Sequence, residues 1–180
     1  MSGTVQRYII TGGPGSGKSS LLDGLRQSGF HCYEEASRQL IREQAALSNG
    51  VFPWSDLPAF SLQVASMILS QHDDADGHGG ICFFDRGLPD VFGYLHHAGH
   101  EISDTYLAMH ARCRYRTEVF ILPPWKAIYV NDAERPQSYD ESLALHYSIR
   151  AVYTALGYKL HDVPRMTITD RVAYLLDITG

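Results

Sequence analysis

Short apolar runs alternate along the chain with longer stretches of helical periodicity, and glycine-rich or polar turns separate them. Tyr8-Ile9-Ile10, within Arg7 to Thr11, leads directly into glycines and predicts a buried strand that ends in a loop. Leu21, Leu22 and Leu25 recur at helical spacing through Lys18 to Gln27, and Gly29 ends the pattern. Phe30 to Glu34 predicts a second strand. Glu35 to Leu47 and Leu57 to Leu69 predict two helices, the second entered through Pro53-Trp54-Ser55. His, Asp and Gly between Gln71 and Gly80 predict a surface turn, and Ile81-Cys82-Phe83-Phe84 a third strand. Helices are expected from Pro89 to His97 and Asp104 to Cys113, a fourth strand from Thr117 to Leu122, and a helix from Tyr139 to Leu156. A fifth strand, Tyr158 to Val163, and a helix, Thr169 to Asp177, complete the pattern. This alternation predicts one α/β domain over residues 1–180: a five-stranded parallel sheet, helices on both faces, and ligands at the carboxyl ends of the strands.

Composition narrows the partners. At 180 residues and 44% hydrophobic the chain can bury the core of one such domain. Its formal charge of −5 lacks the basic footprint of non-specific nucleic-acid binding, so small molecules are the expected partners. Cys32, Cys82 and Cys113 are odd in number and widely separated, which fits neither a disulfide framework nor a close-spaced zinc site. The first residues, MSGTVQRYIITGG, lack the pattern of a secretory signal, and no apolar run nears membrane-spanning length, so a soluble, cytoplasmic protein with no membrane partner is expected. The pattern leaves the oligomeric state open.

Candidate chemistry begins at Gly12-Gly13-Pro14-Gly15-Ser16-Gly17-Lys18-Ser19, followed by Ser20, which fits G-x-x-x-x-G-K-[ST] between a predicted strand and a predicted helix. In such a loop the glycines let backbone N–H groups turn toward the phosphates of ATP or GTP, Lys18 reaches the terminal phosphates, and the Ser19 hydroxyl ligates Mg²⁺. Asp85 ends the third apolar run, where its carboxylate would emerge beside strand one and hold the magnesium or its water. Arg86 follows and can hold a substrate phosphate or hydroxyl; an ion pair of purely structural kind is the alternative. Glu34 and Glu35 end strand two, where one of them can face the γ-phosphate and take a proton from a hydroxyl, or simply favour a helix N-terminus. Residues 131–138 are too polar for the core and resemble a lid that offers Arg135 to the transferring phosphoryl group. The histidines of His96-His97-Ala98-Gly99-His100, and His72 and His78, are expected not to bind metal, for want of completing ligands at useful spacing. Trp54, Phe60, Phe92 and Tyr94 follow strands two and three and can wall an apolar acceptor cleft, or fill the core beneath two helices.

The ordered set GGPGSGKSS, EEASR, FFDRGLPDVFGY, NDAER and LGYKLHDVP resembles, over nearly the whole chain, the P-loop proteins of an AAA-type-domain family similar to the ribosylnicotinamide kinase domain of the NAD-biosynthesis regulator. More distantly it resembles deoxynucleoside and thymidylate kinases. On that resemblance Glu35 and Arg38 match an E-x-x-R, Asp85 and Arg86 a D-R-G, and Asp132 and Arg135 a D-x-x-R. No second, arginine-bearing motor subdomain is visible, which argues against a hexameric motor. The resemblance implies transfer of the γ-phosphate of ATP to a small hydroxyl-bearing acceptor such as a nucleoside or nucleotide. A slow ATPase or GTPase, or a nucleotide-binding regulatory module, are the rival readings.

Overall fold

The computed structural model describes residues 4–129 and 137–180. Within them five parallel strands form one sheet in the order β2-β3-β1-β4-β5: β1 (Gln6–Gly12), β2 (His31–Tyr33), β3 (Ile81–Asp85), β4 (Glu118–Leu122) and β5 (Lys159–Asp162). The central strands are buried on both faces, as their unbroken apolar runs require: Ile9, Ile10, Phe83, Phe84 and Phe120 have no exposure at all. Alternation then sorts their side chains. Tyr8, Ile10, Phe83, Phe120 and Leu122 pack against α1 (Lys18–Gln27) and α7 (Ile168–Thr179). Ile9 and Val119 instead meet Leu145, Ile149 and Tyr153 of α6 (Tyr139–Ala155). A separate apolar cluster joins α2 (Ala36–Ala45), α3 (Leu57–Asp74), α4 (Leu88–His97) and α5 (Asp104–Arg112).

The predicted α/β layout is therefore present, with one notable difference of length. Helix α3 runs to Asp74, through the start of the expected turn Gln71 to Gly80. The reason is tertiary. His72 is buried, its Nε2 accepts the Arg114 backbone N–H at 2.8 Å, and its carbonyl accepts Arg7 Nε at 3.1 Å. Partners from β1 and the segment before β4 thus stabilise a helical turn whose polar residues read locally as loop. At α6, the Ser138 hydroxyl accepts the Glu141 N–H and the Glu141 carboxylate accepts the Ser138 N–H, so a capping box sets the helix start.

Chain order and strand order together place the site. From β1 the chain crosses to β2 and returns to β3 on one side of β1, then moves to β4 on the other. The loops that leave β1 and β3 therefore open at the same carboxyl edge, at the switch point where ligands of such sheets bind. No helix among the described residues is long and apolar enough to cross a membrane.

Candidate active site

The loop between β1 and α1 is shaped by close approach. Gly12 has φ +137°, and a Cβ there would come within 2.5 Å of the Leu122 carbonyl oxygen; Gly17, at φ +88°, turns the chain into α1. Helix α6 lies against the same loop: Ser142 donates its hydroxyl to the Pro14 carbonyl at 2.7 Å. Lys18 is buried and curls back, with Nζ donating to the Gly12 and Gly13 carbonyls at 3.3 Å each. The helix N-terminus and a lysine folded over the loop form an anion cradle with a cation already inside it.

Asp85 stands at the carboxyl end of β3, in register with Ile10. It is buried, and its Oδ1 has no hydrogen-bond partner among the described residues. Loss of water pushes its carboxyl up to about 6; Lys18 and Arg86 pull it down and Glu35 adds to the rise. A cavity of about 230 Å³ lies in front of it, lined by Ser19, Glu35, Arg38 and Arg42 among others. An oxygen donor without a partner, facing Ser19 across a polar cavity, fits a hard divalent cation such as Mg²⁺.

The raised carboxyl makes Asp85 a cost to the fold when no cation is bound. A folded-state pKa above the unfolded 3.8 means that stability falls as pH rises from about 4 to 6 and stays low beyond. Asp85→Asn is therefore expected to raise the melting temperature of the ligand-free protein at pH 8 by several degrees, from a gain of about 1–3 kcal/mol. The gain should vanish below pH 4. Calorimetry at pH 8 and pH 3.5 checks this, and an unstabilised variant at pH 8 would contradict it.

Arg86, next in the chain, has φ +76°, an unusual backbone state for a residue with a side chain. Neighbours on every side hold it there. Its N–H donates to the Ile10 carbonyl at 2.9 Å, Nη1 donates to Asp90 Oδ1 at 3.0 Å, Nε lies 3.2 Å from Glu35 Oε1, and the guanidinium sits 5.4 Å from the Tyr94 ring centre. Asp90 is saturated: it also accepts from the Thr11 hydroxyl, from Gly87 N–H at 2.9 Å and from Tyr153 Oη at 2.5 Å. One buried carboxylate thus ties β1, α4 and α6 to the arginine. Glu35 occupies the N-cap position of α2, buried, and its Oε1 accepts the Ser37 hydroxyl at 2.7 Å.

Beyond this pair opens a second cavity of about 320 Å³, which Glu35, Arg38, Arg86 and Asp90 border and which Trp54, Phe60 and Tyr94 help to wall. Three of the four expected aromatics are there. Phe92 is not: it turns into the core, with ring contacts to Tyr106 and His110. Val64, Ile68, Val91 and Leu145 supply walls that the sequence reading did not include. Asp90, Thr11 and Tyr153 were also missed; the i, i+4 spacing of Arg86 and Asp90 is the one local signal of that hub. Asp132 and Arg135 lie outside the described residues, as does most of the expected lid.

Residues 7–171 match the family described as AAA domain. The chain belongs to that family. No curated protein matches this AAA-domain chain in sequence. Solved structures do match its fold. A deoxyadenosine kinase from M. mycoides, with dCMP and dCDP bound, is 13% identical with a TM-score of 0.69, over 97% of this chain and 98% of that one. A thymidylate kinase from Ehrlichia chaffeensis is 12% identical with a TM-score of 0.64, over 98% of this chain and all of that one. The NadR protein in complex with NR is 12% identical with a TM-score of 0.71, over 96% of this chain and 49% of that one. The AAA-domain chain thus has the P-loop α/β fold of nucleoside and nucleotide kinases.

Proposed function

We propose that this protein transfers the γ-phosphoryl group of ATP or GTP to the hydroxyl of a small acceptor, such as a nucleoside or nucleotide. The observation that carries the proposal is the position of Glu35 and Arg38, which border both the polar cavity in front of Asp85 and the larger apolar cavity behind Arg86. A hydrolase needs room for one water at this point; a mainly apolar cleft of about 320 Å³ suits an acceptor with a body. The rival nucleotide-binding module has no use for such a cleft.

In this reading the loop Gly12 to Ser20 holds the triphosphate, with Lys18 leaving the Gly12 and Gly13 carbonyls to meet the β- and γ-phosphates. Ser19 and Asp85 would hold magnesium, which when bound would supply charge neutralisation at the phosphates. Glu35 takes the proton of the acceptor hydroxyl as its oxygen bonds to the γ-phosphorus and the bond to the β–γ bridging oxygen breaks, leaving a phosphoester and the nucleoside diphosphate. Arg86 orients the acceptor, and Arg135 is the cation for the transferring group. The chemistry is positioning and charge compensation rather than covalent catalysis. A screen of nucleosides, nucleotides and vitamins should find an acceptor that raises ATP consumption well above the acceptor-free rate and yields a phosphorylated product by mass spectrometry. A broad screen without stimulation would favour the regulatory module.

A further inference from the structure

At the opposite, amino-terminal edge of the sheet, three side chains from distant parts of the chain come together. His31 begins the edge strand β2, Asp74 ends α3, and His78 lies in the turn before β3. Each is exposed, and one ligand atom from each lies within 4.8 Å of the other two. Nothing in the proposed phosphoryl transfer uses them. His78 Nε2 lies 3.4 Å from Asp74 Oδ2, and the His31 and His78 rings face each other with centres 3.7 Å apart. The Tyr33 hydroxyl donates to Asp74 Oδ2 at 2.7 Å, the kind of outer contact that orients a ligating carboxylate.

We infer that His31, Asp74 and His78 form a binding site for one divalent transition-metal ion of the zinc class, with water completing its coordination. Two imidazoles and one carboxylate match the preference of zinc for nitrogen and oxygen donors, and such a set leaves an open position for water. Tetrahedral zinc with bonds of about 2.0–2.1 Å spaces its donors about 3.4 Å apart, so the present cluster needs to close by about 1.5 Å or less. The two rings are 22° from parallel, and one must turn for both lone pairs to converge. Exposure leaves it free to do so. The ion would clip the three-residue strand β2 to the α3–β3 turn, reinforcing the segment that leads directly into Glu35.

The test uses the full chain, stripped of metal and free of nucleotide, titrated with zinc by calorimetry. One zinc per chain should bind, and the melting temperature should rise as zinc is added, because an ion that binds only the folded state stabilises it. His31→Ala and His78→Ala, both at exposed positions, should each weaken zinc at least about tenfold and remove most of the thermal shift. His100→Ala, in the other histidine cluster, should change neither. Excess magnesium, a cation that prefers oxygen ligands, should not displace the zinc, which separates this site from Ser19 and Asp85. The inference is overturned if no saturable binding occurs up to about 0.1 mM zinc, an affinity of roughly 5.5 kcal/mol. It is equally overturned if magnesium competes, or if both histidine variants bind zinc as the parent chain does.

Discussion

Lys18→Ala is expected to weaken binding of magnesium-ATP by about 30- to 1000-fold while the protein stays folded, because truncating one partner of a buried charge pair costs about 2–4 kcal/mol. Lys18 Nζ already rests within the loop on two carbonyls, so ATP meets a cation that needs little movement to reach its phosphates. Backbone N–H groups and the α1 N-terminus remain in the variant and retain the residual affinity. The fold should tolerate the change, since the ammonium donates to two backbone oxygens of a loop whose conformation the glycines already permit. Titration calorimetry with and without magnesium measures the loss. Unchanged affinity would remove the central claim about Gly12 to Ser19.

Once an acceptor is known, Glu35→Gln should lower the acceptor-stimulated rate by about 10²–10⁴-fold, the contribution of a positioned general base. ATP affinity should stay within a few-fold, because Glu35 sits at the N-cap of α2 and not in the phosphate loop. The amide keeps the size of the carboxylate and an oxygen that can still accept from Ser37 and face Arg86, so packing around the pair is preserved. Single-turnover kinetics separates the chemical step from binding. Should the variant keep the full stimulated rate, Glu35 holds Arg86 in place and takes no proton. Should stimulation be absent in both proteins while ATP binds tightly, the regulatory reading gains.

Parts of this site were legible because they lie close together in sequence. The phosphate loop is eight consecutive residues between a strand and a helix, and its geometry follows from glycine and from the helix N-terminus. Asp85 was readable from the end of an apolar run, since parallel strands deliver their last residue to the carboxyl edge. The aromatic wall was harder. Phe92 and Tyr94 share one helix but sit about 200° apart around it, so only one of the two can face the cavity. A reading that placed both there had the right element and the wrong face.

Sequence alone determined the α/β class, the five strands, the glycine-rich loop between β1 and α1 and the place of Asp85 and Arg86 at the end of β3, because each depends on local periodicity or on contiguous residues. Only the tertiary structure decided what surrounds them. Asp90 accepts from Thr11, Arg86 and Tyr153, distant in sequence or on different elements; α3 extends to Asp74 because Arg7 and Arg114 donate to His72; and His31 reaches His78 across 47 positions of chain. These contacts join residues far apart in sequence through the sheet order, and each needs a partner that no local pattern announces. A buried polar group is stable only where such a partner arrives, so the polar interior of this protein is set by its topology.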